Sequence, residues 1–356
     1  MSAEELQRLR ESIDRVDDKL LEILNERARL ARAVGSLKVG QAYRPEREAQ
    51  VLTRLKAANP GPLTDETIAT LFREIMSACL AIERPLTVAY LGPKGTFSET
   101  AATKHFGLAA EGMPAPSIDE VYREVQSGAA DFGVVPVENS TEGAVGRSLD
   151  LMPQSPLKVC GEVLIPIHHH LMARGVQDLA KVARVFSHSQ SLAQCHEWLN
   201  NNLPGAERIA VASNAEAARR AGADPGTAAV AGEAAAEHYQ LDLLASNIED
   251  EPNNTTRFLV LGNYEPRPSG RDKTSLVLSA NNRAGAVYEM LTPFATRGVS
   301  MTKFESRPSK VALWEYLFFV DIEGHRDDAN VAAALAEVGK IAGYIKVLGS
   351  YPAAVL

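Results

Sequence analysis

The first 37 residues constrain the chain most. Leu6, Leu9, Ile13, Val16, Leu20, Ile23, Arg27, Leu30, Val34 and Leu37 follow one another at alternating steps of three and four. That spacing is the seam of a helix packed on other helices. The stripe runs about 32 residues, so the helix is roughly 48 Å long. The pattern changes near residue 85, and so short a stretch cannot bury such a seam. Its simplest cover is the same helix of a second subunit. Arg27 stands where Leu or Ile belongs. Either it snorkels to the surface, or it is buried and needs an anionic partner. Lys38, eleven residues on, is nearly in line with Arg27 at about 100° per residue, whereas Arg10 lies about 100° off that line. Arg10 is therefore placed to serve a different site, such as the neighbouring subunit's.

Two further helices follow. Pro45-Glu46-Arg47-Glu48 opens one that runs through Ala58, with proline near the first helical position and early acids. The NPGPL stretch breaks it. Thr64-Asp65-Glu66 caps a third, with Ile68, Leu71, Phe72, Ile75, Cys79 and Ile82 on its apolar face, and Pro85 ends it. Three helices with cations turned inward make an anion pocket.

Composition divides the chain at the same place. Residues 1–85 hold as many basic as acidic groups, so the whole net charge of −8 lies beyond them. At about 150 residues per domain, 356 residues make two to three domains. An acidic chain is not a general nucleic-acid coat. Cys79, Cys160 and Cys195 are too few and too scattered for a disulfide framework or a thiolate metal site. There is no apolar run of membrane-spanning length and no signal-like N-terminus, so a cytosolic chain with no membrane partner is expected.

From Leu86 the pattern becomes short β-branched runs, each followed by a polar loop and a helical stretch: TVAYLG, FGVVPV, ARVFSH, IAVA and TAAVAG. Such alternation predicts a mostly parallel α/β sheet, with ligands at the carboxyl ends of the strands. The loops there carry Thr96, Ser98, Asn139, Ser140, Thr141, Ser187, Gln190, Ser191, Ser213 and Asn214, several at helix starts. Each alone reads as a cap; five such loops together predict a shared site for a small anion. His168-His169-His170 alternates along a strand and cannot face one way, so no metal is expected. A polar linker, NYEPRPSGRDK at 263–273, precedes a β-α-β-β-α-β pattern of about 85 residues, a ferredoxin-like plan. That last stretch holds no nucleophile–base pair, which favours a binding role.

Specific segments carry family resemblances. LRESIDRVDDKLLEILNERARLARAVGSLK, YRPEREAQVL and LFREIMSACLAIE resemble the all-helical chorismate mutase family. The resemblance implies an intertwined helical dimer over residues 1–85 that rearranges chorismate to prephenate by positioning and electrostatics. By the same resemblance Arg27 and Arg47 hold substrate carboxylates, and Arg10 reaches in from the other subunit. Lys38 donates to the ether oxygen, Glu48 accepts from the ring hydroxyl, and Arg44 and Cys79 line the pocket. Glu83 stands where some members carry a glutamine that also donates to the ether oxygen.

GPKGTFSE, VPVENSTEG, SHSQSLAQC, SNAEAA and Thr256-Arg257-Phe258 resemble the prephenate dehydratases in order. That implies a two-lobed fold like periplasmic binding proteins over 86–266, with lobes 86–165 plus 241–266 and 166–240. The site lies in the cleft, where prephenate loses CO₂ and water. The implied residues are Thr96, Ser98, Asn139, Ser140, Ser187, Gln190, Gln194, Ser213, Asn214, Thr256, Arg257 and Phe258. Thr256 donates a hydrogen bond to the departing oxygen or relays its proton, and Arg257 anchors a carboxylate or shapes the loop.

Residues 272–356 resemble the ACT regulatory domain, implying L-phenylalanine bound between subunits. The segments that carry this are Gly285-Ala286-Val287 and Glu305-Ser306-Arg307-Pro308. The three resemblances in sequence imply a bifunctional enzyme of phenylalanine synthesis, without cofactor or metal, inhibited by its end product and at least dimeric. A glutamate donates a hydrogen bond only while protonated. Mutase activity is therefore expected to fall as pH rises, and Glu83→Gln to flatten that profile. An unchanged pH–rate curve in that variant would contradict the assignment.

Overall fold

In the computed structural model the described residues are 3–37, 42–176, 178–281, 283–309 and 316–354. Helices α1 (Ala3–Leu37), α2 (Pro45–Ala58) and α3 (Asp65–Glu83) form the first body. Pro45 opens α2, and Thr64 caps α3 by accepting from the Thr67 amide at 3.2 Å. α1 rests on α3 along part of its length and buries none of its residues. Ile13, Val16 and Ile23 are each about 60% exposed. One chain leaves the apolar seam uncovered.

The second body has two lobes. The first contains β1 (Thr87–Leu91), α4 (Phe97–Phe106), β2 (Glu111–Ala115), α5 (Ile118–Ser127), β3 (Phe132–Asn139), β4 (Gly143–Ala144), α6 (Gly146–Leu151) and β5 (Lys158–Pro166). The second contains β6 (His170–Ala173), β7 (Arg184–His188), α7 (Ser189–Gln194), α8 (His196–Asn202), β8 (Glu207–Val211), α9 (Asn214–Ala223), β9 (Thr227–Ala231), α10 (Glu233–Tyr239) and β10 (Asp242–Ala245). β11 (Thr255–Gly262) returns to the first lobe. The sheets run β2-β1-β3-β11-β5 and β10-β6-β9-β7-β8.

The expectation of mostly parallel sheets needs correcting. β11 is antiparallel to β3 and β5, and β6 to β9 and β10. These two strands carry the chain between lobes, and neither is preceded by a helix. A strand reached through a helical crossover keeps its direction, and one reached without a helix is free to reverse. The return crossing also falls later than residue 241, because β10 pairs with β6 in the second lobe. The two crossings hold each other: the Ile167 amide donates to Asn254 and the Ile248 amide to His169, both at 2.8 Å.

The third body is β12 (Asp272–Ser279), α11 (Ala286–Thr296), β13 (Met301–Pro308), β14 (Tyr316–Glu323), α12 (Ala329–Ile341) and β15 (Tyr344–Pro352), an antiparallel sheet in the order β13-β14-β12-β15. One face is covered by α11 and α12 through Met290, Phe294, Val331 and Val338. The other face packs on the first lobe: Val277, Phe319, Leu348 and Tyr351 share one core with Val135, Val159, Leu259 and Leu261. Backbones touch at Gly349, where a Cβ would stand 2.2 Å from the Val159 carbonyl oxygen. Gly349→Ala is expected to cost at least about 2 kcal/mol by forcing β15 from β5, read as a lower urea midpoint. An unchanged midpoint would show that the contact does not hold the two bodies together.

Candidate active sites

The cleft between the lobes is a cavity of about 450 Å³. Four helices start on its wall, at Thr96 (α4), His188 (α7), Ser213 (α9) and Gly232 (α10). Free amides at helix starts and the positive ends of the helix dipoles favour an anion. Among the described lining residues there is no lysine, arginine, aspartate or glutamate.

Thr256 and Asn139 are paired across β11 and β3. Asn139 is fully engaged. Its amide nitrogen donates to Thr256 Oγ1 at 2.8 Å and to Asn254 Oδ1 at 2.7 Å. Its oxygen accepts from the Thr141 and Glu142 amides at 3.0 Å and from the Thr141 hydroxyl at 2.7 Å. Thr256 Oγ1 is thus an acceptor toward Asn139, and the hydroxyl's own proton has no acceptor among the described residues. Thr96, Ser98, Gln190, Gln194, Ser213, Asn214 and Phe258 line the same cavity.

Three residues implied by the family resemblance do not line it, and neither does Thr141, which binds Asn139 instead. Ser187 is buried beneath Asn214, 3.0 Å from its Oδ1, and donates to the Val230 carbonyl at 2.7 Å. Ser140 ties the return crossing, accepting from the Thr255 amide at 2.9 Å. Arg257 lies on the far face of the sheet, because successive residues of a strand point to opposite sides. It cannot reach an anion beside Thr256. Its guanidinium donates to Glu162 at 2.9 Å, to Asp321 and to Tyr351 Oη at 2.9 Å.

Two groups were not anticipated. Asn254, two residues before Thr256, accepts from Asn139 at 2.7 Å and lines the cleft. His169 lines the cleft, donates from Nε2 to Gln194 Oε1 at 2.9 Å, and leaves Nδ1 buried with no partner among the described residues. Burial lowers its pKa and keeps the ring neutral. The triplet does diverge: His168 meets Glu249 at 2.7 Å on the other side. Among the described residues there is no metal-holding cluster.

A second cavity of about 770 Å³ lies in the helical body. Arg27, Arg44, Arg47, Glu48, Cys79 and Glu83 all line it. Arg27 Nη1 lies 3.0 Å from Cys79 Sγ. Lys38 lies outside the described residues. Arg10 is not in this cavity; it is exposed, about 25 Å up the helix from Arg27. Arg267, from the linker between the second and third bodies, also faces in. Arg73 was missed because it lies off the apolar face of α3. It is buried and pairs with Glu48 at 3.1 Å, and it donates to the Lys104 carbonyl at 3.1 Å. Burial raises the Glu48 pKa and Arg73 opposes that rise.

In the third body Gly285 adopts φ +79° at the start of α11, Ala286 is buried, and Val287 is partly exposed. On β13, Glu305, Ser306, Arg307 and Pro308 alternate in burial. Arg307 pairs with Asp150 of the first lobe at 3.1 Å, so it is engaged across the junction.

Family models match in the same order: chorismate mutase type II over residues 9–84, prephenate dehydratase over 88–266, and ACT domain over 274–340. A bifunctional chorismate mutase/prephenate dehydratase of Neisseria gonorrhoeae is 59% identical over 350 residues, covering 98% of this chain and 97% of that one. The chain belongs to the bifunctional chorismate mutase/prephenate dehydratase family. It carries both enzymatic domains and, with them, both activities of the family. A prephenate dehydratase from Arthrobacter aurescens, solved in complex with L-Phe, is 35% identical with a TM-score of 0.70, covering 75% of this chain and 90% of that one. A structure described as a quorum-quenching acylase, 29% identical, also reaches 0.70, covering 76% of this chain and 98% of that one. One fold hosts more than one chemistry, so the residues at the cleft carry the assignment.

The Arg73–Glu48 pair gives a stability test. Arg73→Met leaves a buried carboxylate alone and is expected to cost about 3 kcal/mol in urea unfolding. Adding Glu48→Gln should recover part of that loss. A single variant as stable as the parent would mean that the pair is not closed in solution.

Proposed function

We propose that prephenate is bound in the inter-lobe cleft and that Thr256 donates a hydrogen bond to the departing hydroxyl. The supporting observation is the direction of the Asn139–Thr256 bond, which leaves the threonine proton for the substrate. In the reaction the bond to the carboxyl carbon breaks and CO₂ leaves. Its electron pair enters the ring, and the ring hydroxyl departs as the ring becomes aromatic. Aromatisation drives the step, so the enzyme need only stabilise charge on the leaving oxygen. Thr96, Ser98, Gln190, Ser213 and Asn214 bring hydroxyls, amides and helix starts to the two carboxylates. Ser187 supports Asn214 from below.

The helical cavity is the mutase site on the same reading. Arg27, Arg44 and Arg47 face a small dianion, since their forked donors suit carboxylates. Cys79 lines the pocket, and Arg73 holds Glu48 for the ring hydroxyl. Lys38 and Glu83 serve the ether oxygen. The uncovered seam of α1 argues for a homodimer, in which Arg10 belongs to the other subunit's site. Gly285-Ala286-Val287 and Glu305-Ser306-Arg307-Pro308 take L-phenylalanine, and binding there lowers activity. Three free, buried thiols suit a cytoplasmic enzyme, and among the described residues there is no helix long and apolar enough to cross a membrane.

Thr256→Ala is expected to lower dehydratase turnover by about 10²–10³-fold, the effect of losing one aimed donor. Mutase turnover in the same preparation should stay within about twofold. Equal loss of both activities would overturn the separation of the two sites.

A further inference from the structure

Arg257 is largely shielded, its side chain 12% exposed, yet lines neither cavity. It stands next to Thr256 on β11, as Glu138 stands next to Asn139 on β3, and the register pairs Thr256 with Asn139 and Arg257 with Glu138. One side of this two-residue ladder faces the cleft, and the other faces the C-terminal body. A bulge follows at once: Phe258 pairs with Pro136, so Val137 has no opposite residue. The extra residue puts Val137 and Glu138 on one face and lets Pro136 and Asn139 both line the cleft.

The far face is a charge network shared by the two bodies. Arg257 joins Glu162 on β5 to Asp321 on β14 and Tyr351 on β15. Lys273 on β12 meets Glu162 at 2.8 Å, and Lys303 on β13 meets Glu138 at 2.9 Å. Ser275 bonds both Asp321 and Tyr351. The first lobe contributes two acids and one base, and the C-terminal body two bases and two acids, since Glu305 also meets Lys303 at 3.4 Å. Glu162, Asp321 and Arg257 are largely shielded from water, whereas Glu138 is 39% exposed; shielded charges keep their partners, because an unpaired one costs far more than a surface ion. A shift of the C-terminal sheet therefore drags Arg257 and Glu138, and the ladder carries the shift through one peptide unit to Thr256 and Asn139.

We propose that Arg257, with Glu138, is the positioning residue through which the C-terminal domain sets the hydrogen bond between Asn139 and Thr256. This rests on Thr256 being the dehydratase donor. The cleft and the effector domain are thus coupled through two faces of one strand pair, with Asp321 and Lys303 as the handles on the effector side.

The test uses the full-length chain with Asp321→Asn, Lys303→Met and Arg257→Lys, none of which touches the cleft. Dehydratase kcat and KM are measured separately, mutase turnover is the folding control, and L-phenylalanine inhibition and calorimetric binding are recorded. In Asp321→Asn and Lys303→Met, dehydratase kcat should change by about fivefold with KM within about twofold and mutase activity unaltered. L-phenylalanine should still bind, while the concentration for half-inhibition moves by about tenfold. A merely structural role predicts loss of folded protein with kcat per folded site unchanged, and that result overturns the proposal. So do kcat and inhibition curves of both variants that superpose on the parent. If Thr256→Ala retains dehydratase activity, the cleft reading itself is wrong; if it is inactive while Asp321→Asn and Lys303→Met behave as parent, only the coupling fails.

Discussion

The alternation of a single strand organises this molecule. Thr256 and Arg257 are neighbours on β11, and the pleat sends one into the cleft and the other into the junction with the C-terminal body. Because β11 sits between β3 and β5 in the first lobe's sheet, the cleft floor and the docking face are two sides of one layer. Arg257, Glu162 and Asp321 fix that layer from behind, and Gly349 lets β15 lie against β5 without a side chain between them. The site is built on an element that the rest of the fold pins from both faces.

On the proposed reading the two cavities meet small anions by different physics. In the helical body the cations are side chains: Arg27, Arg44 and Arg47 stand around one space. In the cleft the positive potential comes from helix starts and amides, with no arginine or lysine among the described lining residues. An acidic chain can therefore bind dianions twice. The first solution is visible in the sequence as one arginine, Arg27, within an apolar stripe and two more, Arg44 and Arg47, at the next helix start. The second appears only when four helix starts converge in space.

Much of this was legible in the sequence because the signals were local. Pro45, Thr64 and Pro85 mark helix limits by restricting φ or satisfying amides, and those limits appear in the fold. The α1 stripe predicts a long helix, and the helix is there with its seam exposed in the single chain. The errors came from relations that no local pattern states. The lobe boundary at residue 241 assigns β10 to the first lobe, but its pairing with β6 is a long-range choice. Arg73 lies off the apolar face of α3, and only its meeting with Glu48 makes it structural. Arg257 was different, since its side of the sheet followed from strand periodicity; a motif read as one unit hid the fact that its three residues cannot face the same way. His169 sits in a run of three histidines, and the sequence holds no sign that this one alone turns into the cleft beside Gln194.

A crystal structure with an unreactive prephenate analogue that keeps the ring hydroxyl tests the central claim most directly. The predicted result places that hydroxyl oxygen within about 3 Å of Thr256 Oγ1. The analogue's carboxylates lie against the helix starts at Thr96, Ser213 or Gly232, and Arg257 remains on Glu162 and Asp321. An analogue whose carboxylate is held by Arg257, or whose hydroxyl lies away from Thr256, would contradict it.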